Sequence, residues 1–277
     1  MPGEHLLMTR RRCGVLGSPI SHSRSPELHR AAYRHLALDW TYTAHEVEVT
    51  GLAPFVAALD PSWRGLSLTM PLKRAALDLA DRSSPVAREV GAANTLLIEP
   101  DGTLVADNTD VPGLVAAVRA AAPGLATTTA CVWGGGATAA SAVAALRVMD
   151  IVAVHLHARD VGRAAGTVAV GAALGLPIPV RTWRVGDECG AAGLTVSTAP
   201  AGAADGIADD LAESAGPGRL LFDVVYDPWP TPLAAAWEKR GGAVASGLDL
   251  LVHQAVGQVR LMTGRDVPAG VLYAAVS

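Results

Sequence analysis

Residues 130–141 read ACVWGGGATAAS, which is an apolar run, three glycines and then a series of small residues. The run at 130–133 predicts a β-strand, and the residues after the glycines predict a helix that continues to about Met149. Where a strand turns sharply into a helix, missing side chains let backbone N–H groups approach a pyrophosphate, whose charge the helix N-terminus favours. We therefore predict a dinucleotide-binding turn. Its contacting residues are predicted to be Gly134, Gly135, Gly136, Ala137 and Thr138.

Three consecutive glycines alone could mark any tight turn. The flanking strand and helix favour the dinucleotide interpretation. Ala139 stands where the usual pattern has its third glycine, and it is small enough for the helix to pack closely on the strand.

The next predicted strand, residues 151–157, decides between NAD and NADP. An acidic residue alone at its end would bind the ribose hydroxyls of NAD. Here Arg159 can stack on the adenine and contact a 2′-phosphate, and Arg163 can add a second cation, whereas Asp160 would repel that phosphate. Two cations against one anion favour NADP (NADPH) over NAD, although Arg163 could instead lie on a solvated helix face.

The remaining pattern alternates strands and helices, which predicts an α/β fold in two parts. In the first part, strands are predicted at 13–16, 40–47 and 65–69, helices at 27–38, 52–59 and 71–79, and a hairpin at 95–99 and 103–106. The second part, a doubly wound unit, has a helix at 115–122, the strand–turn–helix described above, and strands at 151–157, 195–197, 220–225 and 243–245. A final amphipathic helix is predicted at 250–262.

The stretch 17–29, GSPISHSRSPELH, predicts a helix start. Ser25 is suited to the N-cap, Pro26 to the first helical position and Glu27 to the first turn. The hydroxyl of Ser23 is not needed for that cap. A helix N-terminus with a spare hydroxyl is also a place to hold an anion.

Composition and charge argue against a nucleic-acid-binding, membrane-bound or secreted protein. The chain of 277 residues has a net charge of −4, which gives no reason to expect a nucleic-acid or membrane partner. The arginines at 10–12 precede no long apolar run, so no signal peptide is expected. Three cysteines at no ligand spacing indicate reduced, mostly buried thiols of a cytoplasmic protein. His155 and His157 alternate on one strand, but without a third ligand in view we predict no metal site.

Five further segments complete an ordered series of motifs. They are TMPLK at 69–73, GAANTL at 91–96, DNTD at 107–110, YDPWPTPL at 226–233 and GLDLLVHQA at 247–255. Together with the stretches at 17–29 and 134–139, they resemble the shikimate dehydrogenase family over nearly the whole chain. The resemblance implies an NADP-dependent oxidoreductase that reduces 3-dehydroshikimate to shikimate reversibly, in chorismate and aromatic amino-acid biosynthesis.

The resemblance also implies the architecture. It consists of an N-terminal α/β substrate-binding and catalytic domain (1–110, joined by 247–277), a Rossmann-like doubly wound NADP-binding domain (111–246), and a C-terminal helix that returns to the first domain. A cleft between the glycine turn and Lys73 is expected from this arrangement. The implied partner is a small cyclohexene carboxylate, and the protein is expected to be a monomer or homodimer.

Residue roles are implied position by position. Lys73 and Asp110 would form the acid/base pair, in which Lys73 donates a proton to the developing oxyanion and Asp110 orients it and keeps it charged. Ser23 and Ser25 would hold the substrate carboxylate, which accounts for the spare hydroxyl. The other implied substrate contacts are Thr69, Asn94, Asp110 and Gln254 on the ring hydroxyls, with Tyr226 beside them. Val224 and Gly247 would lie near the nicotinamide.

The chain departs from the family's pattern at several places. Ser67 stands where an Asn is common, so one ring-hydroxyl contact would be shorter or pass through water. The usual Asn-Arg-Thr at the adenine side is Ala158-Arg159-Asp160, which puts the cofactor preference in question more than the reaction. Val111 follows the DNTD aspartate in place of Gly, and Leu250 replaces a more usual Met.

Two alternatives to the leading function stay open at this point. One is a quinate or amino-shikimate dehydrogenase that could use NAD. The other is a ligand-sensing module on the same fold, which would need no proton donor. The presence of both Lys73 and Asp110 argues against the sensor.

Overall fold

The computed structural model describes residues 10–276. Contacts group the chain into two compact units. The first comprises the described residues up to Ala87, together with Ala92–Thr109 and the residues from Ala255 onward, and the second comprises Arg88–Gly91 and Asp110–Gln254. The domain boundaries predicted from the sequence, at 110/111 and 246/247, stay a prediction.

The first ten elements include the predicted strands, helices and hairpin. They are β1 (Arg11–Gly17), α1 (Ser25–His35), β2 (Trp40–Glu46), α2 (Val49–Ala57), β3 (Trp63–Leu68), α3 (Lys73–Leu79), β4 (Arg82–Ser83), α4 (Pro85–Val90), β5 (Thr95–Ile98) and β6 (Leu104–Asp107). Of these, β4 and α4 are elements that the sequence did not predict. The six strands form one mixed sheet in the order β2-β1-β3-β5-β6-β4. β1 pairs in parallel with β2 and β3, and β5 and β6 form the predicted antiparallel hairpin.

The core of this first sheet is aliphatic. Leu16, Leu66 and Leu96 come from its three central strands, and α2 and α3 contribute Leu52 and Ala76 to the same buried cluster. Each of these side chains is at most 2% exposed. Burying one such leucine contributes about 1.5–3 kcal/mol relative to its exposed state, so this face fixes where the ends of β1 and β3 lie.

The remaining elements build a second sheet and the C-terminal helices. They are α5 (Asp110–Ala121), β7 (Thr129–Trp133), α6 (Ala137–Val148), β8 (Ala153–His157), α7 (Val161–Ala173), β9 (Val180–Arg181), α8 (Asp187–Ala191), β10 (Leu194–Ser197), α9 (Ala208–Ala212), β11 (Leu220–Asp223), α10 (Pro232–Lys239), β12 (Ala243–Ser246), α11 (Gly247–Thr263) and α12 (Ala269–Val276). This confirms the predicted α/β fold class with a doubly wound second unit.

The second sheet has the strand order β12-β11-β10-β7-β8-β9, and all of its pairings are parallel. Counted along the chain from β7, this is the order 3-2-1-4-5-6 of a dinucleotide-binding fold. The strand order reverses between β7 and β10. In open α/β sheets, ligands bind outside the carboxyl ends of the strands at that point, which here is where the glycine turn follows β7.

The C-terminal segment packs on the first unit. α12 contacts α1, and the backbone of Gly65 in β3 lies so close to Met262 of α11 that a Cβ at residue 65 would stand 2.8 Å from the Met262 Cγ. This is the predicted return of the C-terminal helix to the first domain. None of the described helices combines the length and the apolar character that a membrane span requires.

Several helix limits differ from the prediction. α1 begins at Ser25 and not at Glu27, so Arg24 holds the cap position and Ser25 is not the N-cap. The Ser23 hydroxyl instead accepts the Ser25 N–H at 3.4 Å. α5 begins at Asp110, five residues before the apolar run that predicted it. The pattern did not predict α4 or α12.

Candidate active site

The glycine turn after β7 is shaped by close backbone approaches. Gly134 has φ +122°, a left-handed conformation that favours glycine, and a Cβ there would overlap the Thr198 hydroxyl. A Cβ on Gly135 would stand 2.9 Å from the Cα of Ala164 in α7. At Gly136, the N-cap of α6, a Cβ would meet no atom of the described residues within 4 Å. The turn is therefore closed on the protein side and open at Gly136, as a pyrophosphate cradle requires.

Two threonines that sequence reasoning missed hold this turn in place. Thr167 of α7 donates its hydroxyl to the carbonyls of Gly135 and Gly136, at 3.1 and 3.3 Å. Thr198, just after β10, donates its hydroxyl to the carbonyl of Trp133 at 3.0 Å. Both residues lie far from the turn in sequence, so no local pattern identifies them. They fix the loop carbonyls and leave the N–H groups at the start of α6 to a ligand.

The end of β8 carries the residues that were predicted to select the cofactor. The Arg159 guanidinium lies 5.6 Å from the ring centroid of Trp183, a cation–π contact. Asp160 is the N-cap of α7, and its Oδ1 accepts the N–H groups of Gly162 and Arg163 at 2.8 and 3.2 Å. These N–H groups and the start of α7 compensate part of the Asp160 charge, which weakens the predicted repulsion of a 2′-phosphate.

Arg163 is the more exposed of the two predicted cations. Its side chain is 88% exposed, and its Nε stands 3.9 Å from Asp160 Oδ2. An ion pair this exposed contributes little to stability, at most about 1 kcal/mol. The position fits the solvated helix face that the sequence left open as an alternative.

Val224 and Gly247, predicted near the nicotinamide, are in contact with each other. A Cβ on Gly247 would overlap the carbonyl of Val224, so only glycine allows α11 to begin this close to the end of β11. Burial raises the pKa of the Asp223 carboxyl, which directly precedes Val224. The hydrogen bonds that Asp223 accepts from the Thr231 hydroxyl, at 2.8 Å, and from the Val225 N–H lower this pKa and offset the rise only in part. The end of β11 is therefore held by the hydrogen bonds of Asp223 and by the close approach of Gly247.

The TMPLK and GAANT motifs meet in the first unit. Lys73 is the first residue of α3, and its carbonyl accepts the N–H of Ala93 at 2.7 Å. Thr69 follows β3, where its N–H donates to the carbonyl of Leu16 at 3.0 Å. Asn94 comes directly after Ala93 and is 2% exposed. The structure therefore brings Lys73, Thr69 and Asn94 to the same end of the first sheet.

Asn94 connects this group to the DNTD motif. Its Oδ1 accepts the backbone N–H of Thr109 at 2.8 Å, and its Nδ2 donates to the Thr109 hydroxyl at 2.9 Å. Asp110 is the next residue, 4% exposed, in the first turn of α5. Acidic residues are favoured in a first helical turn, so the local fold accommodates a buried carboxylate there.

Gln258 of α11 is the centre of a buried network that sequence reasoning missed. Its Nε2 donates to the Asn94 carbonyl at 3.0 Å and to the Thr95 hydroxyl at 3.1 Å. Its Oε1 accepts the Ser67 hydroxyl at 2.7 Å and faces His29 Nε2 at 3.2 Å. The prediction concentrated on Gln254, one turn earlier, and no spacing in the sequence points to Gln258.

Ser67, where the family often has Asn, belongs to this network. It accepts the Tyr42 hydroxyl at 2.5 Å while donating to Gln258, and it is 4% exposed. Its proton and one of its lone pairs are thus engaged within the protein. Where the family often has an asparagine amide, this protein thus has a chain of hydroxyl hydrogen bonds from Tyr42 through Ser67 to Gln258. Burial raises the pKa of Tyr42, so its hydroxyl is a neutral donor.

The other predicted substrate residues are placed as follows. Ser23 is half-buried and Ser25 is buried, both at the start of α1. Tyr226 is half-buried after β11. Gln254 is 7% exposed, donates to the Leu251 carbonyl at 2.8 Å, and its backbone packs against Gly113 of α5.

Curated proteins of similar sequence share one name. The chain is 36% identical over 251 residues to a shikimate dehydrogenase (NADP(+)) of Paramagnetospirillum magneticum, across 89% of this chain and 90% of that protein. Over 278 residues it is 36% identical to the protein of the same name from Anaeromyxobacter, across 95% of each. The chain belongs to the shikimate dehydrogenase family.

Family models and solved structures agree with that membership. The shikimate dehydrogenase substrate binding domain matches residues 15–96, and the shikimate 5′-dehydrogenase C-terminal domain matches residues 247–276. The crystal structure of Mycobacterium tuberculosis shikimate dehydrogenase aligns with a TM-score of 0.88 at 43% identity, over 96% of this chain and 98% of that one. The Thermus thermophilus structure in complex with NADP(H) and shikimate aligns at 0.81 and 30% identity, over 96% and 98%.

Proposed function

We propose that this shikimate dehydrogenase family member catalyses the reversible NADP-dependent reduction of 3-dehydroshikimate to shikimate, a step of chorismate and aromatic amino-acid biosynthesis. The observation that carries the proposal is the similarity along nearly the whole chain to proteins named shikimate dehydrogenase (NADP(+)). The complex of the Thermus thermophilus relative with NADP(H) and shikimate supports both ligands.

The residues of the second unit fit NADPH. The opening at Gly136 and the N–H groups of Ala137 and Thr138 would bind the pyrophosphate, with Gly134 and Gly135 shaping the turn. Arg159 would pair with the 2′-phosphate, while Arg163 would add charge from the solvated face. Val224 and Gly247 would pack at the nicotinamide. When bound, NADPH supplies a hydride to the substrate carbonyl.

Lys73 and Asp110 carry the proton chemistry in this proposal. Negative charge develops on the carbonyl oxygen as the ketone is reduced. The Lys73 ammonium stabilises that charge and donates the proton, and Asp110 orients the ammonium. Two hydrogen bonds support this assignment. The bond from the Ala93 N–H to the Lys73 carbonyl fixes the backbone at Lys73, and the bond from the Thr109 N–H to Asn94 fixes the backbone next to Asp110.

Substrate contacts follow the polar groups at the end of the first sheet. Ser23 and Ser25 would hold the carboxylate at the start of α1, where the helix N-terminus favours an anion. The ring hydroxyls would be bound by Thr69, Asn94, Asp110 and Gln254, with Tyr226 beside them. Gln258 contributes by holding Asn94 through its backbone carbonyl.

A steady-state comparison tests the proposal. Shikimate, quinate and amino-shikimate are each offered with NADP and with NAD, and formation of reduced nicotinamide is followed by absorbance. We expect shikimate with NADP to give the highest kcat/KM. Preference for quinate with NAD would overturn the assigned substrate and cofactor, and no turnover of any ring acid would favour a ligand-sensing module.

Two finer predictions accompany the function. A cytoplasmic location follows from the three reduced thiols expected from the sequence, and cell fractionation tests it. A monomer or homodimer is expected, and sedimentation of the purified chain tests that.

A further inference from the structure

A cluster of soft ligands lies in the second unit, in residues to which the proposed function gives no role. Cys131 of β7, His157 of β8 and Cys189 of α8 are all buried, and their Sγ and imidazole nitrogen atoms lie within 4.8 Å of one another. The two Sγ atoms are 3.1 Å apart, and Cys189 Sγ stands 3.4 Å from His157 Nε2. The two cysteines are separated by 58 positions in the chain, so the fold brings them together and no local sequence motif predicts the cluster.

The His157 ring is oriented as in a metal ligand. Its Nδ1 lies 3.2 Å from the backbone carbonyl of Thr182, which can only accept a hydrogen bond. Nδ1 therefore carries the proton, and Nε2 presents its lone pair toward the thiols. Metal-binding histidines nearly always donate their other ring N–H to a carbonyl or carboxylate in this way. Trp133 stacks on the ring at a centroid distance of 4.0 Å and holds its plane.

A carboxylate lies beside these three ligands, outside the group whose atoms all stand within 4.8 Å of one another. Glu188, next to Cys189 in α8, has its Oε1 3.7 Å from His157 Nε2, and its side chain is 22% exposed. Arg181 Nε lies 4.0 Å from the same oxygen. Two thiolates, a carboxylate and a divalent cation sum to a charge of −1, which the Arg181 guanidinium balances.

The distances among Cys131, His157 and Cys189 are close to those of a tetrahedral zinc site. With Zn–S bonds of about 2.3 Å, two sulfur ligands stand about 3.8 Å apart. With Zn–N and Zn–O bonds of about 2.0–2.2 Å, sulfur and nitrogen stand about 3.6 Å apart, and nitrogen and oxygen about 3.4 Å. The two sulfurs need to separate by less than 1 Å. The Cys189–His157 and His157–Glu188 distances are already within about 0.3 Å of these values, whereas the Glu188 carboxylate has to turn closer to the sulfurs.

We propose that Cys131, His157, Cys189 and Glu188 form a structural binding site for a thiophilic divalent cation such as Zn²⁺. Four protein ligands leave no open position, so the ion ties α8 to β7 and β8 and takes no part in catalysis. On binding, each thiol releases its proton to solvent and donates a sulfur lone pair to the metal. The sequence-based prediction of no metal considered His155 with His157; here His157 is joined by two cysteines instead.

A disulfide between Cys131 and Cys189 is the competing use of these thiols. It requires the sulfurs to approach to about 2.05 Å, and it has no need of an imidazole lone pair or a carboxylate. The imidazole nitrogen that His157 turns toward the sulfurs, with the Glu188 carboxylate 3.7 Å from it, favours a cation. An acidic pocket of about 470 Å³ beside α8, lined in part by Asp187, Asp210 and Glu213, offers that cation a favourable approach.

Cobalt substitution tests the proposal on the full chain. Protein purified under reducing conditions and stripped with a chelator is titrated with Co²⁺, then with Zn²⁺. We expect one equivalent of Co²⁺ to produce thiolate-to-cobalt charge-transfer absorption and the strong visible bands of tetrahedral cobalt, and one equivalent of Zn²⁺ to abolish both. Zn²⁺ should also raise the melting temperature. A folded wild-type chain without these bands would overturn the proposal, as would a Cys131–Cys189 disulfide in protein prepared without oxidant.

Variants identify the ligands. Cys189→Ala should remove at least half of the charge-transfer intensity and weaken Zn²⁺ binding by two orders of magnitude or more. Glu188→Gln keeps the shape of a side chain that is 22% exposed, and it should weaken Zn²⁺ binding by at least tenfold. The matched control is Cys13→Ala, which removes a buried thiol of the first unit and should leave the bands intact. Equal bands in the Cys189 and Cys13 variants would refute the site.

Discussion

The backbone N–H of Ala93 donates a 2.7 Å hydrogen bond to the carbonyl of Lys73, which joins the start of α3 to the GAANT segment. One residue later, Asn94 accepts the N–H of Thr109 at 2.8 Å, and Asp110 follows Thr109 directly. The backbone of Lys73, the proposed proton donor, is thus fixed by Ala93. The backbone of Thr109, which directly precedes the proposed carboxylate partner Asp110, is fixed by Asn94. Preorganisation of this kind is what electrostatic catalysis requires.

Lys73→Ala should lower kcat by about 10²–10⁴, the usual worth of general acid/base catalysis. NADP affinity should change little, because the proposed cofactor residues are in the second unit. Steady-state kinetics and equilibrium NADP binding measure the two effects separately. Arg74→Ala, at the adjacent exposed position of α3, is the matched control. A Lys73 variant as active as the parent would remove this residue from the mechanism.

Gly136→Ala should weaken NADPH binding by at least tenfold, or about 1.4 kcal/mol, without lowering the melting temperature. The backbone at Gly136, with φ −89° and ψ −170°, is one that alanine adopts, and the new Cβ would meet no described atom within 4 Å. The Cβ would instead occupy space that we assign to the pyrophosphate. Gly124→Ala, at an equally open position, should change neither property. Wild-type affinity in the Gly136 variant would contradict the assigned cradle.

Arg159→Ala should reduce the preference for NADP over NAD. A hydrogen bond to a charged group is worth about 1.5–3 kcal/mol, so KM for NADP should rise about 10- to 100-fold while KM for NAD stays near its original value. Arg147→Ala, an exposed cation of α6, controls for the loss of one positive charge. If KM rises equally for both cofactors, Arg159 supports the adenine and not the 2′-phosphate.

The sequence predicted those parts of the fold whose signals are local. The strand, glycine turn and helix at 129–148 follow from an apolar run and three glycines, and the hairpin of β5 and β6 from its Asp-Gly turn. Helix starts were less accurate, because α5 was recognised by its apolar run, whereas it begins at the polar Asp110. The first turn of α5 reads Asp-Val-Pro-Gly, and its proline and glycine interrupt the apolar pattern that indicates a helix.

Residues assembled by tertiary packing were beyond sequence reasoning. Gln258 collects partners from α1, β3 and β5, and Thr167 reaches back more than thirty positions to the glycine turn. Cys131, His157 and Cys189 meet because β7 and β8 are neighbours in the sheet and α8 packs on β7. Each of these contacts depends on strand order, which spacing along the chain does not encode.

The buried His29 should make the free energy of unfolding depend on pH. Burial lowers the pKa of His29 from 6.5 to about 4, and the bond to Gln258 offsets this only in part. The rings of Tyr33 and Tyr42 pack against the imidazole, and both phenols have raised pKa values, so neither supplies a charge to stabilise a protonated ring. Between pH 4 and pH 6.5, His29 therefore binds a proton in the unfolded chain and not in the folded chain.

The stability that His29 contributes in its neutral form is therefore fully present above pH 6.5 and is lost as pH falls toward 4. The loss is on the order of 3 kcal/mol, because each tenfold difference in proton affinity between the folded and unfolded chains corresponds to about 1.36 kcal/mol. Urea unfolding at a series of pH values should show this slope in the parent, and His29→Gln should flatten it. His35→Gln, on the exposed side of the same helix, should keep the parental slope. A His29 variant with an unchanged slope would show that other groups cause the acid sensitivity.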